Sequence, residues 1–403
     1  MRILLTNTGP WGTGSFTCAH AILKELLLLG HDVQLFFPDA HVNSSDLDYY
    51  YKNPKHYHIW RFPLKDQTHN IESFPLMIPD PHPRSRTETT FKELDEDTLK
   101  FYFQEARKAL IKVIKQFKPD IVECQHIWSL DSIIDEFGIP YVCTAHHSDQ
   151  MGFMYDARMR PYALASAKHA RKIFAISEFV KAEVMDLYHV DENKVVTITN
   201  GYSKKYFKRE QIDKNAILEE FDINADKNAI FVSFAGKISK TKGVDTILEA
   251  NRILDNPNIH FLILGSGELE KVIDSNRIED YSFKNAHFLG HRHPREIVKI
   301  HNISKLSLMP SRSEGFGISA LEAMACGLPL VYTDVGGIHE FAIGKCIKKE
   351  DPKALANAIE SIITMPDADY SKLSNKSEEV AHTFSWKELA KKRVYYYKQA
   401  LSA

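Results

Sequence analysis

The sequence predicts an α/β protein with two doubly wound parallel sheets, and three observations carry that expectation. Short apolar runs alternate with stretches of helical period. The alternation breaks at a polar stretch near residue 205 and then begins again. The chain has 403 residues, 44% of them hydrophobic, which is enough for two domains with full cores.

The elements follow in order. MRILLTN (1–7) reads as a first strand; with one basic residue and a short apolar stretch before Gly9 and Pro10, it does not read as a signal peptide. FTCAHAILKELLLLG (16–30) carries apolar residues at helical spacing and stops at Gly30. HDVQLFF, DIVECQH, YVCTAHH, IFAIS and VVTITNG are the next strands. After the polar residues 204–228 the pattern restarts with AIFVSFAG, a helix over VDTILEANRIL, then IHFLILG and AHFLG. ISKLSLM (303–309) reads as a buried strand, Ala320 to Ala325 as helix ended by Gly327 and Pro329, and LPLVYT as the strand after it. The expected division is 1–204 and 205–385, two Rossmann-like domains facing each other across a cleft.

Charge and cysteine content narrow the function. With 51 Lys and Arg against 53 Asp and Glu, a net charge of -2 gives no support to a nucleic-acid partner. Five cysteines, Cys18, Cys124, Cys143, Cys326 and Cys346, include no C-x-x-C pair, which suggests reduced thiols in a cytoplasm rather than a disulfide frame or a zinc site. No run approaches the roughly 18 apolar residues of a membrane span.

The stretch SRSEGFGISALEAMACGLPLVYTDVGGIHE (311–340) holds the candidate chemistry. Glu314 falls in the loop at a strand's carboxyl end, and Glu322 lies about one and a half turns into the following helix. In open parallel sheets that edge is where ligands sit. Amides at Gly317, Ile318 and Ser319 would point outward with the positive end of the helix dipole, which suits a diphosphate. The two carboxylates would then accept from hydroxyls on either side of it.

That stretch resembles the retaining glycosyltransferases of family four, which have the GT-B fold. FAGKISKTKGVDTILEA (234–250), ILGSGELE (263–270), AISEFVKAEV (175–184) and TGSFTCAHAILKELLLLGHDV (13–33) match the same family in the same order. The resemblance covers nearly the whole chain and implies a role for each matching residue. Glu314 contacts hydroxyls of the transferred sugar, and Glu322 holds the ribose. Lys237, after Gly236, and Lys242 neutralise the leaving diphosphate, although lysine at 237 stands where arginine is commoner. Gly315, Phe316, Gly317 and Ile318 form the loop against the donor. The base is met near Arg292, by backbone from Gly290 to His293. Gly14 lets the first helix approach the diphosphate, with Thr13 in place of a second glycine. His146, at the end of YVCTA, touches the donor sugar, while His126 and Trp128 line the acceptor side. The last helix, WKELAKKRVYYYKQAL, returns to the N-terminal domain and buries its tyrosines.

The implied activity is a retaining, metal-independent hexosyl transfer from a nucleotide-diphosphate sugar, a UDP-sugar ahead of a GDP-sugar, to a hydroxyl acceptor in glycan, glycolipid or glycoside synthesis. Neither a metal nor another cofactor is expected. Retention leaves two routes open, a carboxylate nucleophile or a front-face reaction. The competing reading is a GT-B sugar-nucleotide-binding protein or epimerase without transferase activity. The acceptor is undetermined, a soluble glycoside or a lipid-linked one; Arg84, Arg86, Tyr155 and Arg158 are candidates to hold it. The helix at 99–118 carries six basic residues against one acid, but residues 1–200 hold 22 basic and 26 acidic residues, so a solvated face ranks above peripheral contact with an anionic membrane.

Overall fold

The computed structural model describes residues 1–39, 47–79, 89–226 and 228–402. Arg84 and Arg86 lie outside them. The chain forms two compact units, Met1–Asn200 with Trp386–Ala403, and Gly201–Ser385.

The first unit is built on a seven-stranded parallel sheet. Its strands are β1 (Arg2–Asn7), β2 (Asp32–Asp39), β3 (Tyr57–Arg61), β6 (Ile121–Gln125), β7 (Tyr141–Ala145), β8 (Ile173–Ala175) and β9 (Val195–Thr197); a small antiparallel pair, β4 (Leu64–Lys65) and β5 (Asn70–Ile71), stands apart. The order is β3-β2-β1-β6-β7-β8-β9. Ile3 pairs with Val33 on one side and Ile121 on the other, so the winding reverses between β1 and β6. All five residues of β6 and of β7 are buried, including the polar Glu123, Gln125 and Thr144, so both faces of these strands are covered.

The second unit repeats the plan. Its strands are β10 (Ile230–Ala235), β11 (Ile259–Leu264), β12 (Ala286–Gly290), β13 (Leu306–Met309), β14 (Leu330–Thr333) and β15 (Gly344–Ile347), in the order β12-β11-β10-β13-β14-β15. Side chains of β10 alternate between two cores. Phe231 and Ala235 join Ile217, Leu218 and Ile300, whereas Val232 and Phe234 join Val244, Ile247, Leu355 and Ile359. Helices therefore cover both faces, and the winding reverses between β10 and β13.

The helix Trp386–Ser402 belongs to the first unit, where it packs against the helix Gly14–Leu28. Of its three consecutive tyrosines only Tyr397 is fully buried, while Tyr395 is 58% exposed. The expected burial of all three is thus corrected: Arg393 and Ala390 share the inward stripe with Tyr397, one and two turns along. Cys18, Cys124, Cys143 and Cys326 are buried free thiols, and Cys346 is exposed and free. Among the described residues no helix is long and apolar enough to cross a membrane.

Candidate active site

The switch between β10 and β13 places two loops side by side at the carboxyl edge of the second sheet, where ligands of such folds gather. One runs from Gly236 to Gly243, the other from Pro310 to Gly317. Across them Lys242 Nζ donates to Glu314 Oε2 at 2.6 Å, both side chains being largely buried. Arg312 fastens the loops together: its terminal nitrogens donate to the two oxygens of Asp245, each at 2.8 Å, and its Nε to Glu350 at 2.9 Å. Its backbone amide also donates to the Thr241 carbonyl at 2.8 Å.

Two glycines permit this closeness. A Cβ on Gly243 would lie 2.1 Å from the Pro310 carbonyl oxygen, and one on Gly336 would lie 1.4 Å from that of Glu314. Both have positive φ, 71° and 61°. Lys237 is half-buried on the first loop, next to Gly236, whose amide donates to Leu264 at 2.9 Å.

The helix Ile318–Ala325 begins at Gly317, whose carbonyl accepts from the amides of Ala320 and Leu321. Among the described residues the amides of Ile318 and Ser319 have no backbone partner, and they carry the positive end of the helix. Gly315 gives its carbonyl to the Gly337 amide at 3.3 Å. Phe316 is buried against Phe341 and Phe384, with ring centroids 4.8 and 5.9 Å away. Its side chain anchors the loop in the core, which leaves its backbone to face a ligand. Glu322 is half-buried and accepts no hydrogen bond among the described residues; burial pushes its carboxyl up to about 8.

The Arg292 side chain is engaged close to its own loop. Its Nε donates to the Leu289 carbonyl at 2.8 Å, an Nη reaches Glu296 at 3.3 Å, and the guanidinium lies over Phe221. The side chain braces its own loop, which leaves the backbone from Gly290 to His293 to meet a base.

In the first unit, Gly14 opens the helix Gly14–Leu28 behind the Thr13 cap, and nothing lies within 4 Å of where its Cβ would be. That open ground suits close approach by a ligand. His146 follows β7; its Nε2 lies 2.8 Å from Gln125 Oε1, and its amide donates to Asp149 at 2.9 Å. Burial, helped by His126 and Arg393, holds its ring well below the usual histidine range. His126 and His147, on either side, take φ of 84° and 73°, so the backbone at these strand ends is strained.

Trp128 and Arg158 do not stand where an acceptor would find them. Trp128 is fully buried against Phe91 and the Gly152 backbone. Arg158 donates to Asp156 and to the carbonyls of Leu94 and Phe91, at 2.6 and 2.7 Å for the latter two. Tyr155 is stacked under Lys92, 4.4 Å from its ring centre. Residues that sequence reasoning passed over include Asp245 and Arg312 here and Arg393 near His146; Glu123 and Gln125, which stand where the resembling family often has histidines, have no catalytic role carried over to them. Among the described residues no group of three or more His, Cys, Asp or Glu is placed to hold a metal ion.

Comparison with known proteins places this geometry. Residues 12–205 match the family described as Glycosyltransferase Family 4, and residues 215–380 that described as Glycosyl transferases group 1. An uncharacterized glycosyltransferase of Methanocaldococcus jannaschii is 27% identical over 258 residues, 63% of this chain and 67% of that one. The D-inositol 3-phosphate glycosyltransferase of Corynebacterium urealyticum is 29% identical over 233 residues, about half of each chain at 54%. Among solved structures, Anabaena HepE in complex with UDP-glucose superposes with a TM-score of 0.72 at 15% identity, covering 99% of this chain and 100% of that one. The two family matches in tandem, each on its own doubly wound sheet, show that this chain is a family-4-like glycosyltransferase of the GT-B fold.

Proposed function

We propose that the enzyme transfers a hexosyl unit from a nucleotide-diphosphate sugar, a UDP-sugar ahead of a GDP-sugar, to a hydroxyl acceptor, with retention and without a metal. The observation that carries this is the Lys242–Glu314 pair at the β10/β13 switch, beside the unengaged amides of Ile318 and Ser319. A diphosphate arriving there takes Lys242 from Glu314. The carboxylate, released, turns to the sugar hydroxyls. Lys237, Lys242 and the helix amides then stabilise the charge that grows on the departing diphosphate. Glu322, with no hydrogen bond of its own, is assigned the ribose, and His146 the contact with the transferred sugar. The structure of HepE with UDP-glucose favours uridine as the base. The free thiols, four of them buried, support a cytoplasmic setting.

The chemistry fits a front-face reaction. The anomeric carbon parts from the diphosphate oxygen, the acceptor oxygen bonds to it on the same side, and the acceptor's proton passes to the departing phosphate. Differential stabilisation by UDP-glucose and GDP-mannose, followed by an acceptor screen and NMR of the product's anomeric centre, tests each part. Stabilisation by the UDP-sugar and a product with the donor's anomeric configuration are expected. An inverted product, dependence on added metal, or binding with neither transfer nor hydrolysis would overturn the corresponding part of the reading. Conversion of the free sugar nucleotide to an epimer would point to the competing class.

A further inference from the structure

Glu123, on β6, is a fully buried carboxylate on which four donors converge. Gln125 Nε2 and Thr144 Oγ1 each donate to Oε1 at 2.7 Å, and Arg393 Nε donates to the same oxygen at 3.3 Å. The Tyr397 hydroxyl donates to Oε2. Arg393 is itself fully buried; its guanidinium cannot give up its proton in a protein, so the pair is a fixed charge in the interior. Two of the four donors come from the returning C-terminal helix.

The direction of the next link follows from chemistry alone. A carboxylate only accepts, so Gln125 must turn its NH2 toward Glu123 and its carbonyl oxygen the other way. That oxygen lies 2.8 Å from His146 Nε2. An amide oxygen also only accepts, so Nε2 must carry the proton. The ring is neutral, kept so by burial with His126 and Arg393 near it. Its Nδ1 therefore holds a lone pair.

We propose that Glu123, Gln125, Arg393 and Tyr397 are positioning residues that lock His146 as the Nε2–H tautomer and present Nδ1 as an acceptor for a hydroxyl of the donor sugar. The proposal rests on the reading of His146 as a donor contact. It assigns the C-terminal helix a task in turnover beyond packing, since Arg393 and Tyr397 of that helix hold the Glu123 carboxylate that orients Gln125. A ring with the opposite tautomer would meet the same hydroxyl with N–H and could hold only its oxygen, not its proton.

Histidine labelled with 15N in the full chain reads the tautomer directly by two-bond correlation, the His146 signal being identified by its loss in His146→Gln. Wild type is expected to show the proton on Nε2. Gln125→Met, which removes the amide, is expected to give a mixture of tautomers and about a tenfold fall in kcat for UDP-glucose, with UDP affinity unchanged. Arg393→Lys, which keeps a cationic donor beside Glu123, is expected to retain the wild-type tautomer. A wild-type proton on Nδ1, or a Gln125→Met enzyme with tautomer and turnover unaltered, would overturn the proposal. The wild-type spectrum decides even if a variant fails to fold. If the Nε2–H tautomer is found but His146→Gln keeps full turnover, the relay stands and the donor-contact reading falls.

Discussion

Arg312 meets Asp245 through two hydrogen bonds of 2.8 Å, one from each terminal nitrogen, and the pair joins the loop bearing Glu314 to the first turn of the helix Val244–Leu254, which follows the loop bearing Lys242. The Lys242–Glu314 contact is thus held from outside, by residues that need not touch the substrate. Arg312→Lys keeps the charge but loses the fork. With hydrogen bonds between charged groups worth about 1.5 to 3 kcal/mol, the second unit is expected to lose roughly that much stability. Donor affinity should fall with it. Thermal unfolding and UDP-glucose titration of the same variant check both; a variant that melts and binds as wild type would show the clamp to be idle.

Glu314→Gln preserves the size of the side chain and removes its charge. Contacts to sugar hydroxyls that strengthen as the ring flattens appear in kcat, so turnover is expected to fall about ten- to a hundredfold, at 1.36 kcal/mol per decade. UDP affinity should change little, because the ribose is assigned to another residue. Steady-state kinetics beside direct UDP binding make the comparison, and full turnover, or simple loss of UDP, would show that Glu314 has another task.

Glu322→Ala tests the ribose. Because burial keeps this carboxyl protonated at neutral pH, the loss is of neutral hydrogen bonds, about 0.5 to 1.5 kcal/mol, or roughly two- to tenfold weaker UDP binding. Isothermal titration measures it, and an unchanged dissociation constant would move the ribose elsewhere.

The same carboxyl gives a pH signature. Folded Glu322 keeps its proton up to about pH 8, whereas an unfolded glutamic acid releases it near pH 4.3. Between these values the folded chain binds more protons than the unfolded one. The stability this group contributes is therefore complete below about pH 4.3 and lost as the pH rises through about 8. Glu322→Gln, which does not titrate, is expected to show a flatter decline in Tm between pH 6 and 9 and to melt above wild type at the alkaline end. Parallel curves for the two proteins would rule out Glu322 as the source.

Removal of residues 386–403 takes away Arg393 and Tyr397 and leaves Glu123 charged in the interior. Breaking a buried pair by deleting one partner costs about 3 to 5 kcal/mol. The first unit is expected to melt earlier by calorimetry, and a truncated chain with an unchanged transition would contradict this account of Glu123.

What the sequence showed and what it hid divide along physical lines. β10 and β11 stand out because both their faces are covered and most of their residues are apolar, and β1, β6 and β7 through the apolar residues at their starts. Glu314 and Lys242 were legible because glycines bracket them in a strand-loop-helix pattern. β3 and β15 were missed: both are edge strands, short, with His58 and Arg61 in one and two exposed residues in the other. The tasks of Arg158 and Arg292 depend on which backbone carbonyls the fold turns toward them, something no local pattern encodes. Glu123 and Arg393 lie 270 residues apart, and only the return of the last helix brings them together.

Gly336 crosses the carbonyl of Glu314 with no room for a single added carbon. The height of the Glu314 main chain above the sheet is consequently set by backbone against backbone, while Lys242 holds the carboxylate itself. For directed evolution of a new sugar preference this marks out a safe ground and a forbidden one. Libraries at Lys240 and Thr241 would sample fresh chemistry on an unmoved diphosphate cradle, whereas any replacement at Gly336 would dislodge the cradle itself and with it every activity under selection.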